Sequence, residues 1–180
     1  MKEKKWKIIK RTLVCKTRIV KVYQDKVVLP NGAKIDDYTI VEKPSYVKVV
    51  PMDKRGRVLL SREYRHAVQR YLWEVCGGFI DNGESPVRAA RREIAEETGF
   101  TTGKFKFIGT MSDYGSTDTH TGYIVLATDL GGRREQRLEE TETITKTRFV
   151  TIPQLKKMIA EDKIESSSTL GALAISGVLF

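Results

Sequence analysis

At 180 residues the chain has room for one domain and a small extension, and 40% apolar residues can build a sizeable core. No apolar run approaches the ~20 residues that span a bilayer. The opening MKEKKWKIIKRTLVCK is basic but lacks the continuous apolar stretch of a signal peptide, and Cys15 and Cys76 match no metal or redox spacing, so the expectation is a cytoplasmic protein with reduced thiols. The net charge of +9 is concentrated at one end: residues 1–21 hold nine Lys/Arg against Glu3 alone, a balance of +8. Such an arm suits either a nucleic-acid backbone or a solvated strand pair whose lysines guard an exposed edge. Alternation of the charges with Trp6, Ile8, Leu13, Val14, Ile19 and Val20 favours a half-buried sheet over a nucleic-acid-binding arm.

In chain order, residues 12–42 are predicted to form a small antiparallel unit, with Asn31-Gly32 as its turn between residues 27–29 and 33–41. Pro44 marks the join to the main body, giving a β unit over 1–43 and a main domain over 44–180. Strands are expected over 46–51 and 57–62, around a turn at 53–56, and over 72–75 before Gly77-Gly78. After the helix described next come strands over 105–111 and 122–128, a polar loop over 131–142 and a strand over 146–150. Pro153 then opens a helix, and Ser166–Ser168 can cap a last one carrying Leu170, Leu173 and Ala174. Strands dominate, with three helices between or after them, which makes an α+β or α/β sandwich.

The stretch from Gly77, GGFIDNGESPVRAARREIAEETGF, reads as a loop feeding a helix. Ser85 can cap it, Pro86 suits the first helical position where no amide donor is needed, and Gly99 supplies the left-handed residue that ends it. Val87, Ala90 and Ile94 recur at helical spacing and should face the core. Glu93 and Glu97 are four apart on one face, with Glu96 beside them. Three carboxylates so close repel one another unless a divalent cation sits among them, and hard oxygen ligands of this kind suit Mg²⁺ or Mn²⁺ and phosphate-bearing substrates. A solvated amphipathic helix with Glu/Arg pairs is the plainer alternative.

This segment resembles the signature box of the Nudix hydrolases. Gly78, Glu84, Arg92, Glu93, Glu96, Glu97 and Gly99 occupy its fixed positions, and Ile94 and Phe100 its apolar ones. Looser marks resemble the ADP-ribose pyrophosphatase branch: residues 38–42 leading into 47–51, Glu63-Tyr64-Arg65 at a strand end, Trp73-Glu74 before the box, and the ending from Ile164 to Leu170. The resemblance implies an α/β/α sandwich with a mixed sheet, an N-terminal unit that builds a homodimer, and an active site at the subunit boundary. It implies Mg²⁺-dependent hydrolysis of a pyrophosphate bond, with ADP-ribose the leading substrate and GDP-mannose-type nucleotide sugars or dinucleotides as alternatives. Metal ions would be held by Glu93, Glu97 and the Gly77 carbonyl, with Glu96 a further ligand or the group that orients the water. Arg92 would hold Glu96, Arg65 would reach the substrate, and Glu74 would orient substrate or metal. A binding module that keeps the fold without catalysis is the other class of function, and the complete set of box glutamates argues against it.

Two departures qualify the resemblance. In the loop 113–120 (DYGSTDTH), Tyr114, a candidate substrate-binding residue, stands where that branch often has the proline of a Ser-Pro-Gly, which weakens ADP-ribose specificity, and Thr119 about where it has a glutamate that acts as base. Asp118, His120 or Glu96 could then serve as base, or metal polarisation alone could suffice, His120 otherwise being an exposed loop histidine. Cys76-Gly77 also replaces a frequent Pro-Ala but leaves the backbone carbonyl in place.

Overall fold

The computed structural model describes residues 4–138, 140 and 143–180. Lys2 and Glu3 of the basic arm, and Glu139, Thr141 and Glu142 of the predicted polar loop, lie outside the described residues. The chain divides into two compact units, Met1–Pro44 with Ser112–His120, and Ser45–Met111 with Thr121–Phe180.

The first unit is an antiparallel sheet of β1 (Lys7–Lys16), β2 (Lys21–Val28) and β3 (Lys34–Glu42), in that order. The Asn31-Gly32 turn forms as expected: the Gly32 amide donates to the Leu29 carbonyl, the Leu29 amide to that of Ala33, and Gly32 has φ 87°. The half-buried arm is corrected. β1 is an edge strand, exposed at all ten positions, and the buried positions fall on β2 at Asp25 and Val27. Asp25 stays buried because Arg11 grips it with two bonds of 2.8 and 2.7 Å. The segment 112–120 adds to β3, where the Val41 amide donates to Thr117 and the Thr119 amide to Val41.

The second unit holds β4 (Tyr46–Pro51), β5 (Val58–Arg65), β6 (Arg70–Glu74), α1 (Pro86–Thr98), β7 (Phe100–Met111), β8 (Gly122–Arg133), β9 (Ile144–Val150), α2 (Ile152–Ala160) and α3 (Ser167–Ile175). One sheet is mixed, ordered β4-β8-β7 with β4 parallel to β8, and the other is antiparallel, ordered β6-β5-β9. Two cores sandwich the sheets, as the alternation along β4 requires. Val47 and Val49 pack with Ala89, Ala90 and Ile94 of α1, while Val50 packs with Leu155 of α2 and Leu173 of α3. The fold is the expected α/β/α sandwich with a mixed sheet. β7 starts five residues before its predicted start and β8 runs on to Arg133, because the two pair along their whole length through two bulges. Thr151 caps α2 in a reciprocal capping box, whereas Ser166 precedes α3 without a side-chain cap and meets the Ser168 hydroxyl instead. Among the described residues no helix is long and apolar enough to cross a membrane.

Candidate active site

α1 begins and ends where its local chemistry dictates. The Ser85 hydroxyl accepts from the Arg88 amide at 3.3 Å, Pro86 is the first residue, and Gly99 closes the helix at φ 76°. Ala90 and Ile94 are fully buried, Val87 only half so. Glu93 and Glu97 are also buried, at 4% and 3% exposure, because they lie against the backbone of residues 77–78. The Cys76 and Gly78 carbonyls accept from the Val49 and Val47 amides of β4. The Gly77 amide, between them, turns the other way and donates to Glu97 Oε1 at 2.7 Å. Gly78 meets Glu93 so closely that a Cβ there would overlap the carboxylate.

Arg92 ties the acidic residues together. Its Nη1 donates to Glu93 Oε1 at 2.7 Å and Glu96 Oε2 at 3.2 Å, its Nε and Nη2 reach both oxygens of Glu84, and its Nη2 also meets the Phe79 carbonyl at 2.9 Å. The expected hold of Arg92 on Glu96 is present. Glu84, to which sequence reasoning gave no task, is the second anchor of that guanidinium. The bond from Arg92 holds the Glu84 carboxyl below its ordinary range, and the acidic neighbours raise the pKa of Arg92 further.

A second cluster lies on β5 and β6. Ser61, Glu63 and Arg65 share one face of β5 by alternation, and Glu74 stands opposite Ser61 in register. Arg65 bridges Glu63 at 2.8 Å and Glu74 at 2.6 Å. Held by these two bridges, the guanidinium is still 37% exposed. Lys48 of β4, not singled out in the sequence, reaches Glu74 Oε2 at 3.2 Å from a buried position. Burial pushes the Glu74 carboxyl up, but Lys48 and Arg65 outweigh it and hold its pKa at about 2. The Ser61 hydroxyl donates to Glu97 Oε2 at 3.4 Å, linking this face to α1.

Among the contacts described, five carboxylates (Glu63, Glu74, Glu84, Glu93, Glu96) meet three cations, Lys48, Arg65 and Arg92, and Glu97 takes the Gly77 amide and the Ser61 hydroxyl. The excess of negative oxygen donors has the chemistry of a divalent hard-cation site. Among the described residues no three such side chains are already closed around one point. The fit is therefore one of donor type and charge.

The remaining predicted residues are in the first unit, on the segment 112–120. Tyr114 is 61% exposed. Asp118 is held below its ordinary range: burial opposes this, and bonds from Lys43 and Thr117 override it. His120 is not an exposed loop histidine. It is buried, with Asp113 and Asp118 carboxylates each 3.5 Å from one of its ring nitrogens.

Residues 42–170 match the NUDIX domain, and residues 6–41 the nucleoside diphosphate sugar hydrolase N-terminal domain. The chain is 25% identical over 173 residues to an ADP-ribose pyrophosphatase of Bacillus subtilis, covering 96% of this chain and 93% of that protein. It is 28% identical over 165 residues to a CMP-5'-(N-acetyl-N-hydroxy-3-aminopropyl)phosphonate hydrolase of Streptomyces rubellomurinus, covering 90% and 78%. A crystal structure of an ADP compounds hydrolase has the same fold, with a TM-score of 0.86 at 24% identity, over 98% of this chain and 95% of that one.

Two predictions follow from this geometry. A Cβ on Gly78 would meet only the movable end of Glu93, whereas one on Gly77, at φ 153°, would meet the Val47 carbonyl of the backbone. Gly78→Ala is expected to keep its melting temperature within a few degrees while Mn²⁺ affinity falls ~10-fold or more. Gly77→Ala is expected to lose stability outright, and thermal unfolding with calorimetric titration separates the two.

The second prediction concerns acid. With Glu74 depressed from 4.5 to about 2, its contribution to stability is present above pH 4.5 and is lost as the pH falls towards 2. Urea unfolding across pH 2–7 should show that loss, and Glu74→Gln should start less stable at pH 7 and fall less steeply in this window.

Proposed function

The chain belongs to the Nudix family and is a pyrophosphohydrolase of it, and from that premise we propose that its substrate is ADP-ribose, cleaved to AMP and ribose 5-phosphate. The observation that carries the reading is the pair of buried carboxylates, Glu93 and Glu97, one helical turn apart against the Gly77-Gly78 backbone. These two, with the Gly77 carbonyl, would hold Mg²⁺ or Mn²⁺, which would polarise the bridging phosphates and lower the pKa of the attacking water. Water adds to one phosphorus as the bond from that phosphorus to the bridging oxygen breaks, and the proton passes to a base. Glu96 is the base we favour. Its side chain is 27% exposed, against 5% for Glu93, and Arg92 orients it from one side. Asp118 is tied to Lys43, and His120 is enclosed by two aspartates. Arg65 would meet a substrate phosphate with its fork, and Glu74 would fix Arg65.

The match of residues 6–41 to the N-terminal domain of nucleoside diphosphate sugar hydrolases favours a second reading, a nucleotide-sugar substrate. A panel of ADP-ribose, nucleotide sugars and dinucleotides with Mg²⁺, its products separated by chromatography, decides between them. AMP and ribose 5-phosphate should form fastest. EDTA should abolish turnover, Glu97→Gln should lower it by ~10²-fold or more, Glu96→Gln should be severe and His120→Ala mild. Turnover in EDTA would overturn the metal assignment, and a collapse in His120→Ala beside a near-normal Glu96→Gln would move the base to the loop.

The first unit is proposed to pair two copies of the chain, working in the cytoplasm as a homodimer. Trp6, Ile8, Ile9, Leu13, Val14 and Ile19 are all exposed on or beside an edge strand, a surface that a monomer would leave as an aggregation hazard. Light scattering at micromolar concentration should give a dimer mass, and Leu13→Glu should give a monomer; a monomeric wild-type protein would reject the pairing.

A further inference from the structure

We propose that Lys48 is a positioning residue for substrate binding, holding Glu74 so that the Arg65 guanidinium is presented outward instead of being drawn in to neutralise a buried carboxylate. The inference rests on the reading above, in which Arg65 meets a substrate phosphate.

Lys48 stands in the run Val47-Lys48-Val49-Val50 of β4, where all three valines are fully buried and the lysine itself is 6% exposed. An ammonium costs several kcal/mol of hydration in such a place unless it is paired. Its Nζ has two acceptors, Glu74 Oε2 at 3.2 Å and the Val75 carbonyl at 3.3 Å. That same Oε2 takes Arg65 Nη2 at 2.6 Å. One buried oxygen is therefore shared by an ammonium behind it and a guanidinium in front of it. Glu63 takes both terminal nitrogens, Nη1 to Oε1 and Nη2 to Oε2, each at 2.8 Å, so Nη2 serves both carboxylates and the Nε–H is left without a protein partner among the described residues. An arginine pinned through its terminal nitrogens between two carboxylates, with its Nε–H edge open, is pre-organised to take a phosphate oxygen.

Remove the lysine charge and Glu74 keeps a single counter-ion. The attraction on Arg65 then rises, and the open edge turns inward to satisfy the carboxylate. The Lys48 stem has a separate task, because a Cβ on Gly77 would meet its Cδ. The stem thus supports the glycine loop from below. Lys48→Met keeps that packing while deleting the ammonium, so it isolates the electrostatic task from the structural one.

The test is a double-mutant cycle with ADP-ribose and Mg²⁺ on Lys48→Met, Arg65→Ala and the double variant. Lys48→Met is expected to raise KM ~10-fold with kcat within about 3-fold, Arg65→Ala to do the same, and the pair to be no worse than either alone. In ¹⁵N spectra the Arg65 Nε–H resonance should shift in Lys48→Met, which lost packing elsewhere would not produce. A normal KM in Lys48→Met beside a raised KM in Arg65→Ala overturns the inference and spares the reading of Arg65. Additive effects overturn it too, since Lys48 would then act without Arg65. A normal KM in Arg65→Ala overturns the reading and the inference with it. Should Lys48→Met fail to fold, Lys48→Gln, which keeps donors for Glu74 and the Val75 carbonyl, takes its place in the cycle.

Discussion

The guanidinium of Arg92 touches Glu84, Glu93, Glu96 and the Phe79 carbonyl at once, and through them it fixes both ends of the acidic segment. A helix with three carboxylates within two turns is self-repelling, and isolated in water it would fray or take up protons. Two kinds of neighbour prevent this. Arg92 gathers one group of charges, and backbone approaches at Gly77 and Gly78 receive the other. The spacing of the box has its physical origin here. The loop from Gly78 to Glu84 must bring a third carboxylate to Arg92, while the helix from Pro86 returns Glu93 and Glu97 to the same two glycines.

Burial makes this arrangement exacting. Glu93, Glu97 and Glu74 are within a few per cent of full burial, where an unpartnered carboxylate is far costlier than at the surface. Each therefore has a specific donor: the Gly77 amide and Ser61 hydroxyl for Glu97, Arg92 for Glu93, and Lys48 with Arg65 for Glu74. The supporting donors come from β4, β5 and the glycine loop, so the sandwich and the site cannot be assembled independently. Among the contacts described, the carboxylates outnumber the cations, a balance that suits a divalent ion.

What was legible in the sequence divides along local and long-range lines. The ends of α1 could be read because Ser85, Pro86 and Gly99 act within one turn, and β4 because its apolar run is bounded by Pro51 and the turn after it. The grip of Arg92 on Glu96, implied by the resemblance, is a contact one helical turn along α1. Lys48 could not be read that way. In Val-Lys-Val-Val a lysine looks like the outward residue of an alternating strand, and only the approach of Glu74, 26 residues later, makes it buried and useful. β7 and β8 were underestimated for the same reason, since Thr101, Thr102 and Gly103 become strand only when β8 lies beside them. His120 was misjudged because a polar loop sequence gives no sign that two aspartates enclose the ring.

The exposed β1 strand belongs to the same argument. Its apolar residues alternate with lysines as though one face were covered, yet in a single chain every position is open. Alternation records which face needs covering, not what covers it. On β2 the need is met within the chain, where Arg11 neutralises Asp25 and Val27 is buried. On β1 it is unmet, and the lysines at Lys7, Lys10 and Lys16 keep that edge from pairing indiscriminately while its hydrophobic residues still favour a matched surface. Under the pairing proposed above, a second copy of the chain would supply that matched surface.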